Sequence, residues 1–402
     1  MTQKFEAPRG THDILPFEQP RRRWVTGEME LVCALYGFRR IDTPSVEDTD
    51  LIIRTSGAGS DVVQKETYTF EDRGGRSLTL RPEATAPICR AYVEHGLHRE
   101  AQPQKLYTIG PMWRYERPQK GRYREHWQLS VEALGSDDPA LDAELIQLYT
   151  ELLRRLGVTG YELRLNSIGD PVCRPEYVER LSAWLDANDH RLDEEARAKR
   201  ATSPLRVFDA KSERVQEALR DAPMIGESLC EACREHFARV REYLDAFGIA
   251  YVLTPTLVRG LDYYTRTTFE FSEGGTDIAG GGRYDGLVEE IGGPPTPGIG
   301  FGAGVERLLL SVADAEVPEP AIDVFFAFDG DVSRAEALAI MAELRRLGIS
   351  ADTDYAGRSL KGQLTQAGRF NAGTIVVVDG DGARIRDKRV ALEDLVARLA
   401  RR

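Results

Sequence analysis

Near residue 320 the hydrophobic pattern of the chain changes period, and this shift does most to limit the folds open to it. "ADAEVPEPAID" (Ala313–Asp323) is acidic, holds Pro318 and Pro320, and reads as a linker. After it, "IDVFFAF" is a continuous apolar run suited to a strand buried on both faces. "SRAEALAIMAELRRLG" follows with helical periodicity and Gly348 as its stop. "ISADTDY", a helix near Leu360–Gly368 and "AGTIVVVDG" continue the alternation. A small parallel or mixed α/β domain is predicted for residues 323–402.

Before the linker the pattern is that of short alternating strands with turn glycines: "KETYTFED", "SLTLRP", "QKLYTIGPMWRYE" and "EHWQLSVEALG". These predict a largely antiparallel sheet. Helices are expected at roughly Pro20–Tyr36, Thr85–His95 and Asp138–Leu156. Between about Pro171 and Phe247 the chain is charged and mainly helical, and strands resume at "IAYVLTP". The expected organisation is an α+β core of residues 1–170 and 248–312, a helical insertion at 171–247, a linker at 313–322 and the tail domain at 323–402. "LVRGLDYYTRTTFEF" (Leu257–Phe271) reads mostly as a strand, so Tyr263 and Tyr264 should point to opposite faces, with Tyr263 sharing that of Arg259.

The chain has 402 residues, 42% hydrophobic and 29% charged, which is ordinary for a globular protein of two or three domains. No apolar run is long enough to cross a bilayer, and "MTQKFEAPRG" has no signal-peptide pattern. Five cysteines, an odd number, argue for a reducing, cytoplasmic setting. A net charge of −12 argues against a non-specific nucleic-acid coat. Residues 323–402 carry 13 Lys+Arg against 12 Asp+Glu, so the acidity lies outside the tail.

Four stretches carry chemistry. In "GPMWRYERPQKGRYREHWQLSVEALG" a basic loop joins two strands that bear Arg114, Gln128 and Glu132. A solvated basic hairpin would explain the loop alone, but charges on a half-buried sheet need partners or a ligand. Arg suits phosphate because its fork bonds two oxygens at once, and Glu suits an ammonium. "TLRPEATAP" puts Glu83 at the start of a helix, where capping is the competing role. "AGGGRYDGL" lets backbone approach a ligand, or makes a tight turn. "PTPGIGFGAGVERLLL" leads into a helix opening near Gly304 with Glu306 and Arg307, and matches neither the phosphate loop nor the dinucleotide fingerprint. In "LCEACREHF", Cys230, Cys233 and His236 could seed a zinc site, but Cys33, Cys89 and Cys173 stand apart, so structural thiols are favoured. No nucleophile-elbow serine or Ser-His-Asp arrangement is found.

Taken together, "RGTHDILP", "GFRRIDTPSVE", "WRYERPQKGRYREHWQLSVE", "LVRGLDYYT", "GGGRYDGL" and "GIGFGAGVERL", in this order and nearly end to end, resemble the histidyl-tRNA synthetase family of class II aminoacyl-tRNA synthetases. "RGLDYYT" with "GGGRYD" is the most specific part. The resemblance implies an antiparallel class II catalytic core with a helical insertion and a C-terminal α/β anticodon-binding domain. It implies activation of L-histidine by ATP to histidyl-adenylate and pyrophosphate, then transfer to the 3′-end of the histidine tRNA. By resemblance, Arg114 and Arg259 flank the α-phosphate as catalytic residues. Arg122 and Arg307 grip the terminal phosphates, with Mg²⁺ bridging them. Glu83, Gln128 and Glu132 would hold the histidine ammonium and imidazole, Tyr264 and Tyr284 would form the imidazole pocket, and Tyr263 and Thr85 would line the site. Polar groups fitted to an imidazole reject apolar amino acids strongly, so no editing domain is expected.

The family acts as a homodimer through the motif 1 segment "GFRRIDTPSVE", where Pro44 fits an interface strand. Arg358, Lys361, Arg369 and Asn371 are candidates for tRNA contact, ordinary surface charge being the equal alternative for each. One departure stands out: the family reads R-P-E-G-T where this chain has Ala84. A position needing positive φ or close substrate approach would suffer from the methyl, whereas a first helical turn would not. A non-catalytic relative, a regulatory subunit of histidine biosynthesis, is the alternative reading, but it typically lacks the tail and the full arginine signature. A prolyl- or threonyl-type synthetase is opposed by the tyrosine pair.

Overall fold

The computed structural model describes residues 5–57, 62–330, 334–386 and 388–400. The chain forms two compact units, Met1–Leu15 with Arg21–Ala315, and Pro16–Pro20 with Glu316–Arg402. In the larger unit the elements run α1 (Gln19–Leu35), β1 (Arg39–Arg40), β2 (Val46–Asp48), α2 (Thr49–Ser56), β3 (Tyr68–Glu71), β4 (Ser77–Leu80), α3 (Thr85–Glu94), β5 (Gln104–Trp113), β6 (Glu125–Leu134) and α4 (Pro139–Arg155). Then come β7 (Tyr161–Ser167), α5 (Arg174–Ala187), α6 (Glu194–Thr202), α7 (Glu213–Leu219), α8 (Glu231–Ala246), β8 (Val252–Leu253), β9 (Thr265–Glu273), β10 (Thr276–Arg283), α9 (Leu287–Glu290), β11 (Gly298–Gly304) and α10 (Val305–Ser311).

Eight strands form one sheet in the order β1-β5-β6-β11-β10-β9-β7-β8, antiparallel except for the two-residue edge pairings of β1 with β5 and β8 with β7. Alternation along the strands sorts their side chains. Leu129, Val131 and Ala133 of β6, Phe269 and Phe271 of β9, and Ile299, Phe301 and Ala303 of β11 join the main core with Leu145, Tyr149 and Leu152 of α4. The residues between them, Gln128, Ser130 and Glu132, Thr268 and Glu270, and Gly300 and Gly302, belong to the other face. Asp138 starts α4 by accepting from the Ala140 amide at 2.9 Å, with Pro139 as the first helical residue.

Two expectations change. The stretch Leu257–Tyr264 is not strand: the ladder begins only at Thr265. Its backbone is held instead by side chains distant in sequence. Asn166 Nδ2 donates to the carbonyls of Pro255 and Leu257 at 3.1 and 3.0 Å, and Arg174 donates to that of Tyr264 at 2.6 Å. Tyr263 and Tyr264 therefore do not alternate across a sheet; both are buried in one cluster, with ring centroids 4.6 Å apart. The helical segment, in turn, has a core of its own from Cys173 to Cys233, while the second half of α8 gives Val240 and Leu244 to the main core.

The smaller unit holds β12 (Val324–Phe328), α11 (Ala335–Arg346), β13 (Ala351–Thr353), α12 (Leu360–Arg369), β14 (Thr374–Asp379), β15 (Gly382–Ile385), β16 (Lys388–Val390) and α13 (Leu395–Leu399). Its sheet order is β13-β12-β14-β15-β16, the first three strands parallel and the last two an antiparallel addition the sequence reading did not include. Phe326 and Phe328 pack with α11 and α13, and Phe325 and Ala327 with α12, as a strand buried on both faces requires. Here Arg358 is paired with Asp354, and Asn371 donates to Glu319 at 2.9 Å. Among the described residues no helix is long and apolar enough to cross a membrane.

Candidate active site

A cleft opens on the sheet face opposite α4, bounded by β6, β10, β11, α3 and the loop after β5. Its empty volume, open mouth included, is about 1010 Å³. Arg114, Arg122, Gln128, Arg259 and Arg307 line it together with Glu83, Thr85, Tyr263 and Tyr264. Glu132 and Tyr284 stand one layer behind, fully or almost fully buried.

A carboxylate–phenol network forms part of the wall. Glu83 accepts from the amides of Thr85 and Ala86 at 2.5 and 3.0 Å, so it does cap α3. The Thr85 hydroxyl donates to Glu132 at 2.8 Å, and the Tyr284 hydroxyl donates to the other oxygen of the same carboxylate. Burial pushes the Glu132 carboxyl up to about 8, against the two hydrogen bonds, and burial also raises Glu83. Tyr263 packs edge-on against Tyr284, ring centroids 5.7 Å apart. Ala84 has φ −111° and is fully buried, so the position asks for no left-handed backbone and its methyl fills core space.

Four guanidinium groups also line the cleft. Arg114 is oriented by donating Nε to the Pro82 carbonyl at 2.8 Å. Arg122 pairs with Glu116 on the same loop, and Arg307 donates to the Asp277 carbonyl. Arg259 is ion-paired with Glu270 at 2.5 Å, while its Nε has no hydrogen-bond partner. Burial lowers Arg307, and the proximity of Arg122, Arg114 and Arg259 adds to this. His126, which no motif marks, also lines the cleft; burial first, then Arg114, Arg307 and Arg122, hold it down to about 3, so it is neutral across the physiological range.

The glycines have steric reasons. A Cβ on Gly280 would lie 2.5 Å from both terminal nitrogens of Arg259; on Gly300, 1.8 Å from Glu132; on Gly302, 2.4 Å from Gln128. They make room for three polar side chains over the sheet. Arg283 of the same motif serves the fold instead. It is fully buried and bonds Asp142, the Ser136 carbonyl and Asp285, while His236 bonds the second oxygen of Asp142 at 2.9 Å. Glu306 is likewise internal, paired with Arg22 at 3.0 Å and accepting from the Trp127 amide.

The sequence model of the family described as Histidyl-tRNA synthetase matches residues 10–308. This chain belongs to the histidyl-tRNA synthetase family. Curated relatives named "Histidine–tRNA ligase" include one from Moorella thermoacetica, 49% identical over 92% of this chain and 89% of the relative. Another, from Caldanaerobacter subterraneus subsp. tengcongensis, is 44% identical over 97% and 95%. The crystal structure of apo S. aureus histidyl-tRNA synthetase superposes with a TM-score of 0.82 at 34% identity, covering 99% of this chain and all of that one. An ATP phosphoribosyltransferase regulatory subunit/histidyl-tRNA synthetase from Bacillus halodurans shares the fold at TM-score 0.69 and 22% identity, over 94% of this chain and all of that one.

Proposed function

We propose that the cleft is where this histidine–tRNA ligase joins L-histidine to ATP. The observation that carries the assignment is that one cavity gathers a carboxylate–phenol group, with Glu83, Tyr263 and Tyr264, and a guanidinium group, with Arg114, Arg122, Arg259 and Arg307. The first suits an ammonium and an imidazole, the second a triphosphate.

In the forward step a carboxylate oxygen of histidine attacks the α-phosphorus of ATP, the bond to the bridging oxygen breaks, and pyrophosphate leaves. Proton transfer is not required, so positioning and charge stabilisation account for the rate. Arg114 holds the carboxylate and α-phosphate. Arg259, with an uncommitted Nε, meets the charge that grows on the α-phosphoryl oxygens. Arg122 and Arg307 take the departing pyrophosphate. Glu83 and Gln128 receive the ammonium and imidazole, with Tyr263 and Tyr264 beside the ring. Glu132, behind Thr85 and Tyr284, accepts from both hydroxyls and so orders them. The cleft also offers the Glu116 carboxylate beside Arg122 and Asp277 beside Arg307. A carboxylate or two with substrate phosphates is the usual protein share of a magnesium site, so these residues fit the ion. Bound there, Mg²⁺ would neutralise phosphate charge.

The second substrate is the histidine tRNA, with the smaller unit as the expected anticodon reader and a homodimer as the expected assembly. Histidine-dependent exchange of labelled pyrophosphate into ATP, without tRNA, tests the reading. Exchange with histidine alone among the amino acids is the expected result. None from folded protein would favour the regulatory-subunit reading.

A further inference from the structure

We propose that Asp170, Cys173, Cys230 and Cys233 form a tetrahedral zinc site at the root of the helical segment. Along the sequence Cys173 stands far from the C-x-x-C pair, and His236 is the nearest other donor. The fold reverses both points. His236 is committed to Asp142, whereas Cys173 and Asp170 come to the pair.

The four donor atoms lie within 4.8 Å of one another. Zinc–sulfur bonds of about 2.3 Å set at tetrahedral angles place two sulfurs about 3.8 Å apart, and a sulfur and a carboxylate oxygen about 3.5 Å apart. Cys173 Sγ and Cys233 Sγ are 3.9 Å apart, Cys173 Sγ and Asp170 Oδ1 3.4 Å, and Cys230 Sγ and Asp170 Oδ1 3.9 Å. All three thiols are free.

Backbone and helix geometry hold the donors. Asp170 Oδ1 accepts from the amides of Val172 and Cys173 at 3.0 and 3.3 Å. Gly169 turns the chain with φ +67°, and a Cβ there would lie 2.8 Å from the Cys173 sulfur. Cys230 is the cap of α8 and Cys233 lies in its first turn, three residues on, so both sulfurs fall on one side.

A purely structural use competes: buried thiols pack as small hydrophobes. It does not account for three sulfurs converging on a buried carboxylate, since thiols are weak donors. Arg266 approaches Asp170 only to 3.8 Å, long for a charge-assisted bond. Sulfur donors select zinc over magnesium or calcium, and four protein ligands leave no open position, as in a structural site.

The site also has a route to the cleft. Arg174, next to Cys173, donates to the carbonyls of Ile168 and Gly169 at 3.0 Å each and of Tyr264 at 2.6 Å. Loss of the metal should therefore raise the KM for histidine more than that for ATP, a readout that rests on the active-site assignment. Metal binding does not.

The test is metal content of the untagged, reduced chain, followed by cobalt substitution. About one zinc per chain is expected. Cobalt should give a thiolate-to-metal charge-transfer band and the strong visible absorption of tetrahedral coordination. Cys230→Ser and Cys173→Ser should lose both, and Cys33→Ala should keep them. A chain that retains no zinc after exposure and dialysis, or cobalt bound without charge transfer, overturns the proposal. If the serine variants do not fold, mercurial titration of the parent decides: zinc leaving in step with thiol blockage supports the site, and zinc that stays does not.

Discussion

At the residue scale, Arg259 is the most exposed to test. Arg259→Ala should leave histidine binding largely intact and slow adenylate formation by about 10² to 10³, the usual cost of removing one preorganised charge-stabilising group. Single-turnover measurement with saturating histidine and ATP reads this directly, and a near-parent rate would remove Arg259 from its role. Gly280→Ala should resemble it, because the added Cβ strikes the guanidinium of an intact Arg259. Glu132 gives the pH dependence. Its carboxyl titrates higher in the folded state than in the unfolded chain, so its stability contribution is full below about 4.5 and is lost as pH rises through about 8. Melting temperatures of the parent and Glu132→Gln, compared without ligand across that window, should diverge, with the parent falling more steeply. The arginines, carboxylates and tyrosines of this site were legible because each sits in a dense local motif. His126 was not: it shares the basic hairpin of Arg114 and Arg122, and only folding brings their guanidiniums and that of Arg307 near enough to help hold it neutral.

At the scale of elements, the helix α3 separates two roles that the sequence left tied. Glu83 caps it through two amides, and it also faces the cleft. Glu83→Gln keeps an acceptor and removes the charge; Glu83→Ala removes both. The alanine variant should lose about 0.5–2 kcal/mol of stability, the ordinary cost of a cap. The glutamine variant should melt near the parent and yet bind histidine more weakly. Equal affinity of the glutamine variant and the parent for histidine, by calorimetry, would reduce Glu83 to a cap. Strand limits were legible in β5 and β6, whereas β11 lies in a glycine-rich run whose composition marks only the helix after it. They failed at Leu257–Tyr264, whose composition suits a strand but whose carbonyls are satisfied by Asn166 and Arg174. The cysteine–aspartate cluster was hidden for the same reason: its donors come from two segments about sixty residues apart.

At the scale of the whole molecule, the compact units divide between Ala315 and Glu316, close to the change of hydrophobic period, while Pro16–Pro20 groups with the smaller unit. The antiparallel strands β15 and β16 escaped because "GARIRDKRV" is charged and short. A chain ending at Ala315 should keep histidine-dependent pyrophosphate exchange and lose most charging of the histidine tRNA, assayed with labelled amino acid. Full charging by the truncated chain would take the smaller unit out of tRNA recognition.

The guanidinium groups of the cleft bear on how the protein should be handled. Burial does most to lower Arg307, and the nearby Arg122, Arg114 and Arg259 add a smaller repulsion. Any crowded anion that settles there relieves the repulsion, sulfate or inorganic phosphate included. The same buffer salt should therefore raise the melting temperature and depress the exchange rate together. A preparation chosen for shelf life would then be one whose catalytic competence has been masked.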